Sequence, residues 1–362
     1  MGLFGKLLKK DKSKSGKKGF VSLTISAINK ETDDTVSVSF SVPKGEEKNF
    51  QFIPGQYLNF AIKIDGKEER RSYSICSSVK EPLTIAVKEL KGGKVSSWFN
   101  NEAKVGDEIW TGYPEGGFKM TDAGRTYVAF AAGSGITPIF SIAKSISLAT
   151  EGKLSLFYGS KTADQIIFKE GLDQLPQDQI KVQHLLSQEK KDGFLNGRLT
   201  KEKVNEIIKA DLELLKADGF YICGPEDMII NVSETLKTFG VPKEKINFEL
   251  FTTPTKMKSN EKTAQADYKG MSNVTVIIDD EESVFELDSS GDTILDEVES
   301  QGIDAPFSCR GGVCSTCKAK VLKGSATMDS NMALTDAEVE EGFILTCQAH
   351  PNSKELTVSY DE

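Results

Sequence analysis

The sequence predicts a multidomain chain: an antiparallel β-barrel, then an α/β domain on a parallel sheet, then a small α+β domain of β-grasp layout. Three observations predict it. At 362 residues the chain is too long for one ordinary core. At about residue 121 the apolar pattern changes from short alternating strands to strand, helix, strand. After a polar stretch, a last segment carries Cys309, Cys314, Cys317 and Cys347 among short strands. The expected divisions are a basic tail over 1–18, the barrel over 19–120, the α/β domain over 121–252, a linker over 253–271 and the last domain over 272–362.

Composition is that of a globular protein, 38% hydrophobic and 27% charged, with no apolar run long enough to span a bilayer. Nothing at the N-terminus reads as a signal peptide, and six cysteines without a secretory context fit a reducing compartment, so the cytoplasm is expected. The net charge of −9 is unevenly spread. Residues 272–362 hold 19 Asp/Glu against 5 Lys/Arg, a balance of −14, while residues 1–18 hold seven Lys and one Asp. The acidic block argues against a nucleic-acid partner. It either keeps a small domain soluble or steers docking to a basic patch on a partner. The tail places Leu3, Phe4, Leu7 and Leu8 among lysines. It reads as a charged tail, with a helix lying on an anionic membrane as the alternative.

In the barrel region Val21–Ile25 and Val36–Val42 alternate, and Pro54-Gly55 and Asp65-Gly66 mark turns. The run Arg71-Ser72-Tyr73-Ser74 offers a cation, an aromatic face and hydroxyls on one extended strand. Those are the groups a flavin needs for its pyrophosphate, its ring and its polar edge. Period two puts Arg71 and Tyr73 on one face. Gly93-Lys94-Val95-Ser96 then leads into a short helix whose exposed N–H groups suit a phosphate.

The α/β region opens with the apolar strand Thr126–Ala131, which feeds Gly133-Ser134-Gly135-Ile136-Thr137-Pro138 and a helix. Strand, glycine turn and helix place a pyrophosphate on a helix N-terminus. The next strand, Leu154–Tyr158, ends in Gly159-Ser160-Lys161. A dinucleotide fold meets the adenosine ribose there, and an acidic residue would favour NADH. Ser160 and Lys161 suit a 2′-phosphate instead, so NADPH is preferred and NADH is the alternative. Arg198 is either a second cation for that phosphate or half of a surface ion pair. Cys223 ends the strand Gly219–Ile222, where ligands bind in open α/β sheets, although a free cysteine is commonly a small core residue. Ile246–Phe251 reads as a last strand with Glu249 and Phe251 on one face.

The last domain reads as a hairpin over Val274–Leu287, a helix over Thr293–Ser300, the cysteine loop, and strands at Ala319–Leu322 and Leu356–Val358. Cys309, Cys314 and Cys317 have C-x4-C-x2-C spacing, with Cys347 about thirty residues on. That is the plant-type arrangement for a [2Fe–2S] cluster. Structural zinc would want paired C-x2-C or histidine spacings, and disulfides an oxidising compartment.

Taken in order, Arg71-Ser72-Tyr73-Ser74, Gly133–Pro138 and Cys223-Gly224-Pro225 resemble the ferredoxin-NADP reductase superfamily, and the four-cysteine domain resembles plant-type ferredoxin. Joined this way they are similar to the reductase components of bacterial multicomponent oxygenases, and Gly312–Val321 is especially like the phenylacetyl-CoA epoxidase group. The resemblance implies FAD, a [2Fe–2S] cluster and NAD(P)H, with an oxygenase, hydroxylase or desaturase as electron acceptor. A related group with the same domain order uses FMN. It implies that Arg71, Tyr73 and Ser74 hold the flavin, that Gly93–Ser96 meet its pyrophosphate, and that Gly135, Ile136 and Thr137 cradle the nucleotide. It also implies that Cys223 lies near the nicotinamide and that Glu249 and Phe251 cover the flavin. The family's usual arginine after the second nucleotide-domain strand is Lys161 here.

Overall fold

The computed structural model describes residues 19–251 and 267–362, so the expected tail and most of the expected linker lie outside the described residues. The first sheet is antiparallel. Its strands are β1 (Phe20–Thr32), β2 (Thr35–Ser41), β3 (Tyr57–Ile64), β4 (Lys67–Ser74), β5 (Leu83–Lys88) and β6 (Glu108–Gly112), in the order β4-β3-β6-β1-β2-β5. The two edges meet just past β4, where Ile75 bridges to Ile85 and the Cys76 N–H donates to the Thr84 carbonyl at 2.8 Å. This bridge brings the two ends of the sheet together and makes the expected barrel. β1 runs well beyond the alternation at 21–25, pairing with β2 across irregularities at Ile25/Ala27 and Lys30/Thr32. Bulges of that kind break a period-two signal. Helix α1 (Lys94–Asn101) buries Val95 and Phe99 against the barrel core.

The second sheet is parallel throughout: β7 (Thr126–Ala132), β8 (Lys153–Ser160), β9 (Ile180–Leu186), β10 (Leu195–Asn196), β11 (Gly219–Cys223) and β12 (Ile246–Glu249). Helices α2 (Ile136–Ser147), α3 (Lys169–Asp173), α4 (Lys201–Ala210) and α5 (Glu226–Thr238) accompany it. β11 is buried along its whole length, as a strand covered on both faces must be. β9 and α4 are not evident as apolar runs. Lys181, Gln183 and His184 interrupt the one, and the other is set by the Thr200 side chain accepting from the Lys203 N–H at 3.3 Å. The strand order β10-β9-β8-β7-β11-β12 reverses between β7 and β11. The crevice beyond their C-terminal ends is where such sheets bind ligands.

The third unit is a mixed sheet in the order β14-β13-β19-β15-β17, built from β13 (Met271–Ile278), β14 (Glu281–Asp288), β15 (Lys318–Lys323), β17 (Phe343–Leu345) and β19 (Glu355–Ser359). Strands β16 (Ala326–Met328) and β18 (Ala349–Pro351) form a separate pair. Helix α6 (Ile294–Ser300) buries Ile294, Leu295 and Val298 against the sheet, and Thr293 caps it. The short α7 (Asp336–Glu340) starts with a reciprocal Thr335/Glu338 cap. Among the described residues no helix is long and apolar enough to cross a membrane.

Candidate functional site

The four cysteines come together from two segments. Cys309, Cys314 and Cys317 lie on the loop between α6 and β15, and Cys347 follows β17. Thr346 joins the segments, its N–H and hydroxyl both donating to the Cys317 carbonyl, at 3.1 and 3.0 Å. Arg310 and Gly312 have φ of 54° and 71°, which turns the loop tightly. A Cβ on Gly312 would lie 2.9 Å from the Ser330 carbonyl oxygen, so only glycine fits. Cys309 neighbours Cys314 and Cys347, and Cys347 neighbours Cys317. The Gly311 N–H points at Cys309 Sγ at 3.4 Å. Four thiols spread over neighbouring pairs, with backbone N–H groups aimed at sulfur, fit a two-iron cluster rather than mononuclear zinc.

The flavin motif lies on β4, whose side chains alternate between two neighbours. Arg71 and Tyr73 face one way, and Arg70 and Ser72 face the last domain. Arg71 and Lys94 both pair with Glu69, so the motif arginine meets the start of α1. Tyr73 stands edge-on to Phe99 at 5.6 Å. Val95 is buried, and the Ser96 hydroxyl is spent locally, donating to the Gly93 carbonyl at 3.0 Å and accepting from the Leu90 N–H at 3.1 Å. These residues therefore offer a ligand their backbone rather than their side chains. Of the seven α-helices among the described residues, only α1 and α2 begin with neither a side-chain cap nor an acidic residue in the first turn. The start of α1 thus carries no competing carboxylate or side-chain cap, whereas at α2 the Ile136 N–H already donates to the Gly133 and Ser134 carbonyls of the turn before it, leaving the positive dipole end to face an anion.

The nucleotide crevice is built by close backbone approach. A Cβ on Gly135 would stand 2.0 Å from the Cys223 carbonyl oxygen, so glycine lets the β7 turn pack on the end of β11. Ile136 is fully buried, and the buried Thr137 donates its hydroxyl to the Ser134 carbonyl at 3.0 Å. Cys223 is 0% exposed and pairs across the ladder with Glu249. Burial, then the Glu249 charge, pushes its thiol well up. Ser74 donates to Glu249 Oε2 at 3.2 Å. Burial raises the Glu249 carboxyl to about 8, against the opposing effect of that hydrogen bond. Ser74, Glu249 and Cys223 thus gather where barrel and nucleotide domain meet. Phe251 lies beyond the end of β12 and is 45% exposed. At the other end of the crevice the register aligns Ser160, Leu186 and Asn196. Lys161 and Arg198 follow on the same sheet edge and are both exposed, and the buried Ser160 hydroxyl has no partner among the described residues.

Sequence reasoning missed the residues between barrel and cluster. Tyr57 Oη accepts from the Ser315 N–H at 3.3 Å, and Asn59 donates to Thr316 Oγ1 at 3.1 Å. The adjacent Glu115 carboxyl, raised by burial, accepts from Asn59 at 3.1 Å. No pattern marks these residues, since each is an ordinary strand or turn residue whose partner lies far along the chain.

Comparisons with known proteins agree with this geometry. Family models for an oxidoreductase FAD-binding domain, an oxidoreductase NAD-binding domain and a 2Fe-2S iron-sulfur cluster binding domain match residues 22–120, 130–234 and 276–352. The chain is 34% identical over 352 residues to a subunit of the 1,2-phenylacetyl-CoA epoxidase of Escherichia coli, covering 94% of this chain and 98% of that one. Phthalate dioxygenase reductase shares the fold with a TM-score of 0.57 at 23% identity, over 94% of this chain and 98% of that one. So does an intact type IV self-sufficient cytochrome P450 monooxygenase, with a TM-score of 0.70 at 21% identity over 94% of this chain and 41% of that one. FAD-binding, NAD-binding and iron–sulfur domains in one chain make an NAD(P)H-dependent oxidoreductase that carries electrons through FAD and a [2Fe–2S] cluster. The chain belongs to the ferredoxin-NADP reductase superfamily, in the branch that carries a C-terminal plant-type [2Fe–2S] ferredoxin domain.

Proposed function

We propose that the chain is the reductase component of an oxygenase system of the phenylacetyl-CoA epoxidase type. It draws on NADPH and serves an oxygenase, hydroxylase or desaturase partner in the cytoplasm. The observation that carries this reading is the meeting of flavin strand and cluster loop. Tyr57 pairs with Ser74 in the β3–β4 ladder and accepts a hydrogen bond from Ser315, the residue after Cys314. When bound, the flavin takes two electrons from the nicotinamide and the cluster passes them on singly.

The chain's own residues hold and orient these groups. Arg71 and the N–H groups of Lys94, Val95 and Ser96 would bind the FAD pyrophosphate, with Gly93 turning the chain into α1 as its own N–H donates to the Leu90 carbonyl at 2.8 Å. Tyr73 packs against the flavin ring and Ser74 faces its polar edge. Glu249 keeps a proton near Ser74 through neutral pH, because burial disfavours its charge. Gly135, Ile136 and Thr137 would bring the positive end of the α2 dipole to the nucleotide pyrophosphate. Ser160, Lys161 and Arg198 receive the 2′-phosphate of NADPH. Cys223, at the end of β11, would lie by the nicotinamide, and the exposed Phe251 would cover the flavin. The partner docks near the acidic last domain, steered by its balance of −14. Domain limits at 19–120, 121–252 and 272–362 match this division of labour, with the tail and linker outside it.

The test is anaerobic addition of NADPH, and separately NADH, to flavin- and iron-loaded protein. Flavin and cluster absorbance both bleach, faster with NADPH. Bleaching of flavin beside an unchanged cluster would sink the reading, and faster reduction by NADH would overturn the cofactor preference.

A further inference from the structure

Of the two adjacent arginines in β4, only Arg71 belongs to the flavin motif. Arg70 leaves the opposite face and is 7% exposed. A guanidinium so far from water needs partners, since an unpaired buried charge is costly. Much of what surrounds it comes from the cluster domain, 234 and 235 positions away. Nη1 donates to the Ala305 carbonyl at 3.1 Å, Nη2 pairs with Asp304 at 2.6 Å, and the Phe307 ring lies 4.8 Å from its central carbon. Within β4, Glu68 takes Nε at 2.8 Å.

Arg70 heads a strip. Beside it the Ser72 and Ser308 hydroxyls share a hydrogen bond of 2.6 Å, and Ser72 also donates to Asn59 Oδ1 at 2.7 Å. Asn59 and Tyr57 then reach Thr316 and Ser315. The ladder pairs Asn59 with Ser72 and Tyr57 with Ser74, so alternation puts these side chains on one face of β3 and β4. Their partners bracket the cysteines: 304–308 lead into Cys309, and 315–316 separate Cys314 from Cys317. Apart from the Phe307 ring over Arg70, the contact with the barrel is polar, the character of a junction that opens and closes rather than of a fused core.

We propose that this strip is the docking surface for the chain's own cluster domain and that Arg70 is its positioning residue. By clamping Asp304 and Ala305 it holds the cysteine loop beside the Ser74 end of β4. The Tyr57–Ser315 contact would then stand between the flavin that β4 would hold and the cluster that the four cysteines would hold, where a single electron would pass from one to the other. The observed rate of cluster reduction scales with the docked fraction, so Arg70 sets that rate without touching either cofactor. This proposal rests on the reductase reading above.

The experiment uses the full, cofactor-loaded chain with Arg70→Ala, Arg70→Lys and Asp304→Lys, read by hydrogen exchange over 303–318 and by anaerobic stopped flow with NADPH. Removing one partner of a buried charged pair slows cluster reduction roughly tenfold or more in Arg70→Ala, while flavin reduction keeps its rate and exchange over 303–318 rises. Arg70→Lys keeps the charge but loses the fork and falls between. Should Arg70→Ala fail to fold, Asp304→Lys carries the test, because that side chain is 71% exposed and its reversal sets two cations together. Unchanged exchange with unchanged cluster reduction in the folded variants overturns the proposal, as does equal slowing of both steps. If the unaltered protein reduces its flavin but never its cluster, it is the reductase reading that fails.

Discussion

The barrel meets its two neighbours in opposite ways. Toward the nucleotide domain the cores merge: Cys76, Ala86, Phe118 and Met120 belong to one apolar cluster with Ile139, Ile142 and Tyr221. Phe118 packs edge-on to Tyr221 at 5.2 Å, and Tyr221 donates its hydroxyl to the Lys119 carbonyl at 2.9 Å. Toward the cluster domain the barrel offers mainly hydrogen bonds, the Arg70–Asp304 ion pair and the Arg70 face under the Phe307 ring, while the cluster domain's own core holds only residues from 274 onward, with Val313 alone packed on the nucleotide-domain cluster. The difference matches what each junction must do. Nicotinamide and flavin meet at a fixed geometry, and a shared core supplies it. The cluster must face the flavin and also serve an external partner, which a polar seam permits.

Breaking the apolar junction has the largest expected effect. Phe118→Ala removes a buried ring and costs about 3–5 kcal/mol, with barrel and nucleotide domain melting together while the cluster domain keeps its own transition. Calorimetry of the variant checks this, and two separate barrel and nucleotide transitions in the unaltered protein would break the comparison.

A smaller effect sharpens the junction's chemistry. Glu249 titrates at about 8 in the fold against an ordinary 4.5. Across that window the folded state holds a proton that the unfolded chain has lost, so this group's contribution to stability is full below pH 4.5 and falls as pH rises to about 8. Glu249→Gln flattens the fall in urea midpoints over that range. A fall of equal steepness in the variant assigns the proton elsewhere. The smallest effect belongs to the exposed crevice edge. Lys161→Ala raises KM for NADPH by up to about fivefold, the worth of one exposed ion pair, and leaves KM for NADH unchanged. Equal changes for both nucleotides would remove Lys161 from the 2′-phosphate site.

The same contrast governs what the sequence made legible. The cysteine loop was legible because a cluster imposes its geometry on neighbours along the chain, and so was the β4 motif, because period two assigns faces. The glycine turns at 93 and 135 read as phosphate sites from their glycines alone, and the structure adds that the Val95, Ile136 and Thr137 side chains behind them are buried. Residues 246–251 read as one strand, yet β12 stops at Glu249 and leaves Phe251 at the surface. The capping box at Thr335 and Glu338 was present but unread, because α7 is too short to show a period. The polar seam left no trace. Its hydrogen bonds join positions as much as 258 residues apart, and Arg70 is hidden in sequence beside the motif arginine.

The most direct measurement is anaerobic stopped flow at saturating NADPH in low and high salt, following flavin and cluster bands separately. Salt screens the Arg70–Asp304 pair through its exposed carboxylate and leaves an apolar core intact. The account predicts flavin reduction at one rate in both conditions, with cluster reduction lagging behind it and slowing as salt rises. A cluster reduced ahead of the flavin, or at a rate indifferent to salt, would contradict it.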